Sequence, residues 1–168
     1  GIAPSVTFLA SARTVLTFDY EHFHDERVAD RGISSYHGRP LDVATSTFFG
    51  NPADSHVNAA VDLAAVSMQH EARGFTIRNR TVVGNYDRGY QNYVPGAVTD
   101  DRTRVALTAY NNATERLNTF NQTDVTRAAR TGRVRHMLLF GGEGGRQRNQ
   151  NLRNTGNFGN SSTTLLVP

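Results

Sequence analysis

Val15-Leu16-Thr17-Phe18-Asp19-Tyr20-Glu21-His22 sets apolar or aromatic residues against polar ones, one for one. Leu16, Phe18 and Tyr20 fall on one face, and Thr17, Asp19 and Glu21 on the other. A period of two is the mark of a β-strand with two unlike faces. The pattern recurs from Phe75, where Ile77 and Val83 share one face while Arg78, Arg80 and Arg88 share the opposite one.

Outward from these stretches, a short strand is expected at Val6–Leu9, a tight turn at Ser11–Arg13 and a long strand from Thr14 to about Arg27. A loop rich in Gly, Pro, Ser and Asp follows from about Ala29 to Asp54. After a turn at Ala72–Gly74, a strand from Phe75 to about Tyr90 leads to a Pro95-Gly96 connection. Another strand covers about Arg104 to Thr119, with a turn near Thr126–Gly132. The last strand runs from Val134 to about Arg146 and gives way to a tail rich in Gly, Asn and Ser. The connections run short, long, short, medium, short, long. Hairpins need only a few residues, so this rhythm places the long loops at one end of the strands.

Val57–His70 reads differently. Apolar residues at 57, 60, 61, 64, 65 and 68 follow helical spacing, Asp54 or Ser55 could cap the start, and Gly74 could end it. Local pattern therefore favours a helix there, over a weaker alternation of Val57, Ala59, Val61 and Leu63 against Asn58 and Asp62.

Composition narrows the classes. The 168 residues suffice for one ordinary domain, but only 38% are hydrophobic, below the roughly 45–50% usual for a packed globular domain. With no cysteine there is neither a disulfide framework nor a thiolate metal site. All 18 basic residues are arginine, and they interleave with 15 acidic ones to a net charge of +3. A nucleic-acid partner is not expected, because such binders carry a one-sided basic stripe. No stretch approaches the ~20 apolar residues of a membrane-spanning helix. Gly1-Ile2-Ala3-Pro4-Ser5 offers no basic or apolar segment of a signal peptide.

Four stretches resemble the TonB-dependent siderophore receptors of the Gram-negative outer membrane, in particular the catecholate type. They are Tyr20-Glu21-His22-Phe23-His24-Asp25-Glu26-Arg27-Val28-Ala29-Asp30-Arg31-Gly32-Ile33 with Gly38-Arg39-Pro40, Phe48-Phe49-Gly50-Asn51-Pro52, Tyr86 to Gly96, and Leu138 to Gln147. The resemblance implies an all-β fold: an antiparallel up-and-down meander of about six strands, part of a 22-stranded transmembrane β-barrel. Residues 1–168 would be a partial barrel domain without the plug domain, and Pro168 stands where such barrels carry a terminal aromatic residue. The resemblance also puts a strand, not a helix, at Val57–His70, with Val57, Val61 and Leu63 toward lipid and Asn58 and Asp62 inward. An outward arginine near the midplane costs about 2–4 kcal/mol, so Arg78 and Arg80 should face the lumen.

Candidate chemistry is sparse. His22 and His24 share a strand face at a chelating spacing beside Asp25 and Glu26, but no third ligand is evident, and an interfacial girdle suits them better. Gly141–Arg146 lacks the Gly-Lys-Ser/Thr of a phosphate loop. Asp19, Glu21 and Glu143 have no partner nucleophile and suit pairing with lumenal arginines. Asn79-Arg80-Thr81, Asn112-Ala113-Thr114 and Asn121-Gln122-Thr123 match a glycosylation sequon that means nothing in a bacterial barrel.

An aromatic and guanidinium set gathers toward the long-loop end: Tyr36, Arg39, Phe48, Phe49, Tyr86, Arg88, Tyr90, Tyr93, Arg146 and Arg148. An iron–catecholate complex is anionic and aromatic, so Arg88, Tyr90, Arg146, Tyr36, Arg39 and Phe49 are the expected ligand-binding residues. The expected protein is a receptor segment and not an enzyme, with no metal of its own and a ferric siderophore as cargo. Its partners would be outer-membrane lipid, the plug domain and, through the plug, TonB. Two other readings compete. A soluble β-rich binding module would pack its apolar faces together without detergent. A general porin would lack the Asp-Arg-Gly, Gly-Arg-Pro and Phe-Phe-Gly combination.

Overall fold

A computed structural model describes residues 1–160 and 162–168; Ser161, within the expected tail, lies outside them. The strands are β1 (Ser5–Ser11), β2 (Thr14–Arg27), β3 (Ser35–Tyr36), β4 (Arg39–Pro40), β5 (His56–Ala72), β6 (Phe75–Val98), β7 (Arg104–Thr131), β8 (Val134–Thr155) and β9 (Thr163–Leu166). All described regular structure is β. The main sheet is antiparallel and meandering, in the order β1-β2-β5-β6-β7-β8, with β9 also on β7; β3 and β4 form a separate pair. The chain divides into two compact units: Gly1–His24, Ala60–Tyr86 and Glu115–Gln150 form unit 1, and Asp25–Ala59, Asp87–Thr114 and Asn151–Pro168 form unit 2.

Unit 1 holds the tight turns. Ala12-Arg13, Arg73-Gly74 and Gly132-Arg133 each join two strands with two residues. Arg73 and Gly74 have φ of 49° and 81°, the positive pair a type I′ hairpin demands. The β3–β4 hairpin of unit 2 repeats the device, with His37 at 48° and Gly38 at 77°. Unit 2 also holds the longer connections, residues 28–55 and 99–103.

Cross-strand contacts fix the faces. Ser5 donates to Asp19 at 2.7 Å, and Arg80 reaches Asp19 at 3.3 Å and Ser67 at 2.8 Å. Arg78 donates to Gln69 at 3.0 Å, so Asp19, Ser67, Gln69, Arg78 and Arg80 share a polar face. On the other face Phe8 meets Phe18 edge-on at 5.8 Å, within β1–β2 pairing that sets Val6 opposite Phe18 and Phe8 opposite Leu16. Alternation adds Val66, Met68, Ile77 and Val83 to that face.

Several expectations are corrected. Val57–His70 is strand, as the resemblance implies and against the helical spacing; flanked by β2 and β6, its backbone is committed to ladders on both sides, and tertiary pairing overrides local preference. Its faces, however, are the reverse of those expected. Tyr20 and His22 bond Asp62, which puts Asp62 on the Phe18 face and Val61 and Leu63 with the arginines. Leu63 and the Tyr86 ring fill the space beside Gly84 on the arginine face, consistent with that register. A slip of one residue exchanges the faces of a whole strand.

Strands also run past their expected ends. Pro95 and Gly96 lie inside β6, because β5 starts only at His56 and leaves β6 an open edge there, where a proline costs no ladder bond. No turn forms at Thr126; β7 continues to Thr131. The tail continues β8 to Thr155 and then returns as β9.

The core sits in unit 2. Leu41, Phe49 and Val105 are buried at 5%, 3% and 0% exposure, with Ile33, Tyr36, Val43, Val98 and Val167 packed around them. The 28–55 loop is therefore a folded cover on the β6–β7 hairpin.

Candidate functional site

The loop is tied to β6 from both of that strand's faces. Asp30 Oδ1 accepts the Gly32 N–H at 2.8 Å and turns the chain so that Arg31 points back. The Arg31 guanidinium then donates twice to Asn92 Oδ1, at 3.0 and 2.7 Å, and Asn92 is wholly buried. From the opposite face Gln91 donates to the Asp54 carbonyl at 2.9 Å, and the Tyr93 hydroxyl donates to the Asp54 carboxylate at 2.6 Å. At Gly50 a Cβ would meet the Phe48 ring at 2.9 Å and Tyr93 at 3.3 Å. Asp30-Arg31-Gly32, Phe48-Phe49-Gly50-Asn51 and Gln91-Asn92-Tyr93 are thus parts of one clamp.

On the Arg80 face of β6, alternation carries Arg88 and Tyr90 into unit 2. Tyr90 and Tyr110 stack edge-to-face at 5.8 Å and 88°, and the Arg153 guanidinium lies 4.6 Å from the Tyr110 ring centre. Two rings, a cation held on the Tyr110 ring and the exposed Arg88 make an open surface suited to a flat anionic ligand. Nearby amides cross-link the strands: Asn112 and Asn151 pair at 3.3 and 3.1 Å, and Asn151 donates to Thr114 at 2.8 Å.

The other expected ligand residues go elsewhere. Phe49 is in the core and offers no surface to a ligand. Tyr36 is half-buried against that core, donates to the Asp100 carbonyl at 3.2 Å and carries Arg102 over its ring at 5.7 Å. Arg39 is exposed opposite Tyr36 in the β3–β4 pair. Arg146 lies in unit 1, on the face opposite Gly145, whose missing side chain makes room for the Phe120 ring. It is therefore not on the face of Arg88 and Tyr90. Tyr110 and Arg153 escaped sequence reading. Arg153 fell in the supposed tail, and no local alternation marks it; pairing with β7 keeps that segment a strand.

Unit 1 contributes polar chemistry of its own. Asp19 pairs with Arg80 at 3.3 Å, the arginine pairing expected of it. Val15, Thr17, Ser67, Gln69, Arg78, Arg80 and Asp124 border an open basin of about 420 Å³. His22 is engaged with Asp62 at 2.8 Å, and among the described residues no group of three His, Asp or Glu is placed to hold a metal. The sequons acquire a structural role. Asn79-Arg80-Thr81 and Asn121-Gln122-Thr123 face each other across β6 and β7, with Asn79 on Thr123 at 2.7 Å and Asn121 on Thr81 at 2.8 Å. No family model matches the chain, and no curated protein matches it.

Proposed function

We propose that the chain is a wall segment of a Gram-negative outer-membrane TonB-dependent receptor that imports ferric siderophores, and that it performs no catalysis. Strand length carries the reading. β6 and β7 are 24 and 28 residues long, whereas strands of ordinary globular sheets run about 3–10. At ~3.3 Å per residue β7 spans roughly 90 Å, three times a ~30 Å bilayer core. Strands that cross lipid and continue outside it need that reach; a soluble sandwich does not. In this reading the Phe18 face meets lipid, and the Asp19–Arg80 face lines the lumen against the plug, through which TonB acts. The Arg88–Tyr90–Tyr110–Arg153 surface would belong to the outer vestibule that meets the siderophore.

Deleting the gene in the source cell and following radioiron tests this. Uptake of ferric catecholates under iron limitation should fall and return on complementation, but not in a strain without TonB. Unchanged uptake across ferric siderophores, together with a chain that is folded and monomeric in detergent-free buffer, would sink the proposal in favour of the soluble module.

A further inference from the structure

A second site is built where β8 breaks. β8 stops at Thr155, yet pairing to β7 resumes with β9, Leu107 opposite Thr163 and Arg104 opposite Leu166. The chain leaves and rejoins the same edge of β7. Gly156 hugs that edge, its N–H on the Ala109 carbonyl at 2.7 Å, where a Cβ would meet the Ala109 methyl at 2.9 Å. The departing segment closes on itself with Asn160 N–H on the Asn157 carbonyl at 2.7 Å. It forms one side of a cleft of about 320 Å³, all within unit 2.

We propose that this cleft, lined by Asp54, Gln91, Tyr93, Asn111, Asn154 and Asn157, binds a neutral saccharide, an activity beyond iron uptake and independent of it. Its volume is at the lower end of ligand pockets, which begin near ~300 Å³. The amides are oriented in a chain: Gln91 on the Asp54 carbonyl at 2.9 Å, Asn111 on Gln91 at 3.4 Å, and Asn154 on Asn111 at 3.0 Å. Those bonds hold Gln91, Asn111 and Asn154 in place and leave Asn154 Oδ1 to offer outward, while the Gly159 N–H on Asn157 Oδ1 at 3.3 Å leaves the Asn157 amide N–H groups. The Tyr93 hydroxyl fixes one Asp54 oxygen at 2.6 Å and leaves the other to accept, and the Tyr93 ring supplies a flat wall.

Charge selects the ligand class. Every basic residue of the chain is arginine, and none lines this cleft. A phosphate, or the anionic iron complex of the other surface, would find one carboxylate and no cation here. Adjacent hydroxyls, each donor and acceptor at once, match an array of amides and a carboxylate.

The intact folded protein, in amine-oxide micelles so that no detergent sugar competes, is titrated with soluble neutral oligosaccharides of glucose, galactose and mannose. A parallel arm uses vesicles bearing neutral glycolipids with the same sugars, and binding is read by saturation-transfer NMR. Signal from at least one neutral saccharide is expected. Response in the first arm identifies a free saccharide as ligand, and response in the second alone a membrane-anchored one. Asn154→Asp and Asn111→Ala should each weaken binding by about tenfold or more, and Arg130→Ala should not. Asn154→Asp keeps the side chain's shape and its outward oxygen but removes the amide that donates to Asn111, so unchanged amide exchange in β7 and β8 is required to show that lost binding is not lost folding. No transfer in either arm, binding indifferent to both variants, or preference for inorganic phosphate would overturn the assignment.

Discussion

In unit 1 Phe8, Phe18, Leu138 and Phe140 stand 44% to 70% exposed, whereas in unit 2 Phe49 and Val105 are 3% and 0% exposed. Among the described buried hydrophobic residues, only Ala65 belongs to unit 1. The two units draw on the same long strands and differ in what covers them. Unit 2 folds its own 28–55 loop over the sheet and finishes a core from within the chain. Unit 1 has two-residue turns and no loop to fold back, so its apolar side chains are left uncovered by the chain. The receptor wall proposed above would need such a division, with one part covered by the chain itself and one left for lipid.

The largest expected effect breaks the covered unit alone. Phe49→Ala should cost about 3–5 kcal/mol, the range for truncating a buried aromatic side chain. Limited proteolysis should then cut within 28–55, while amide exchange in unit 1 strands stays slow. Equal loss of protection in both units would show that they do not differ in the way described.

The next effect tests the uncovered unit. Phe18→Arg places a cation on the face read as lipid-facing and should cost about 2–4 kcal/mol of stability in bilayers. Thr17→Arg, one residue along and beside Asp19, should be close to neutral. Thermal unfolding in lipid vesicles measures both. Equal costs would mean that neither face of unit 1 meets lipid.

Much of this architecture was legible in the sequence. The alternation around Phe18 defines β2 to its ends, Thr14 and Arg27, and glycine with its neighbour marks the turn at Arg73. Alternation tells which residues of one strand share a face, and is silent on which face of the neighbouring strand they join. Asp62 was therefore set with the lumenal residues, although Tyr20 and His22 hold it on the other face, and Arg146 was grouped with Arg88 although the two lie on opposite faces. Strand ends were hidden for a related reason. Pro95 and Gly96 are breakers only where a backbone has partners on both edges, and β6 has lost one by then. Phe49 was chemically right for a ligand surface, and only the folded loop shows it consumed by the core. Arg153 joined the site by register alone.

The smallest effect lies in the short connection of unit 2. Thr99 Oγ1 donates to Asp101 Oδ1 at 2.6 Å, and the Thr103 N–H donates to the same oxygen at 3.0 Å. These bonds, the Thr99 hydroxyl first, hold the Asp101 carboxyl below the usual carboxylate range. A lowered acid binds protons more weakly folded than unfolded, so its contribution is complete above the ordinary value near ~3.9 and fades as pH falls through the lower folded one. Asp101 is fully exposed, so the change should stay local to the turn. The Thr103 amide should keep constant protection at neutral pH and lose it only in acid, and Asp101→Asn should abolish that acid step while leaving the 28–55 loop as protected as before. An acid step that also released the loop would mean that the core of Leu41, Phe49 and Val105 depends on this turn, and unit 2 would then be less self-sufficient than its packing implies.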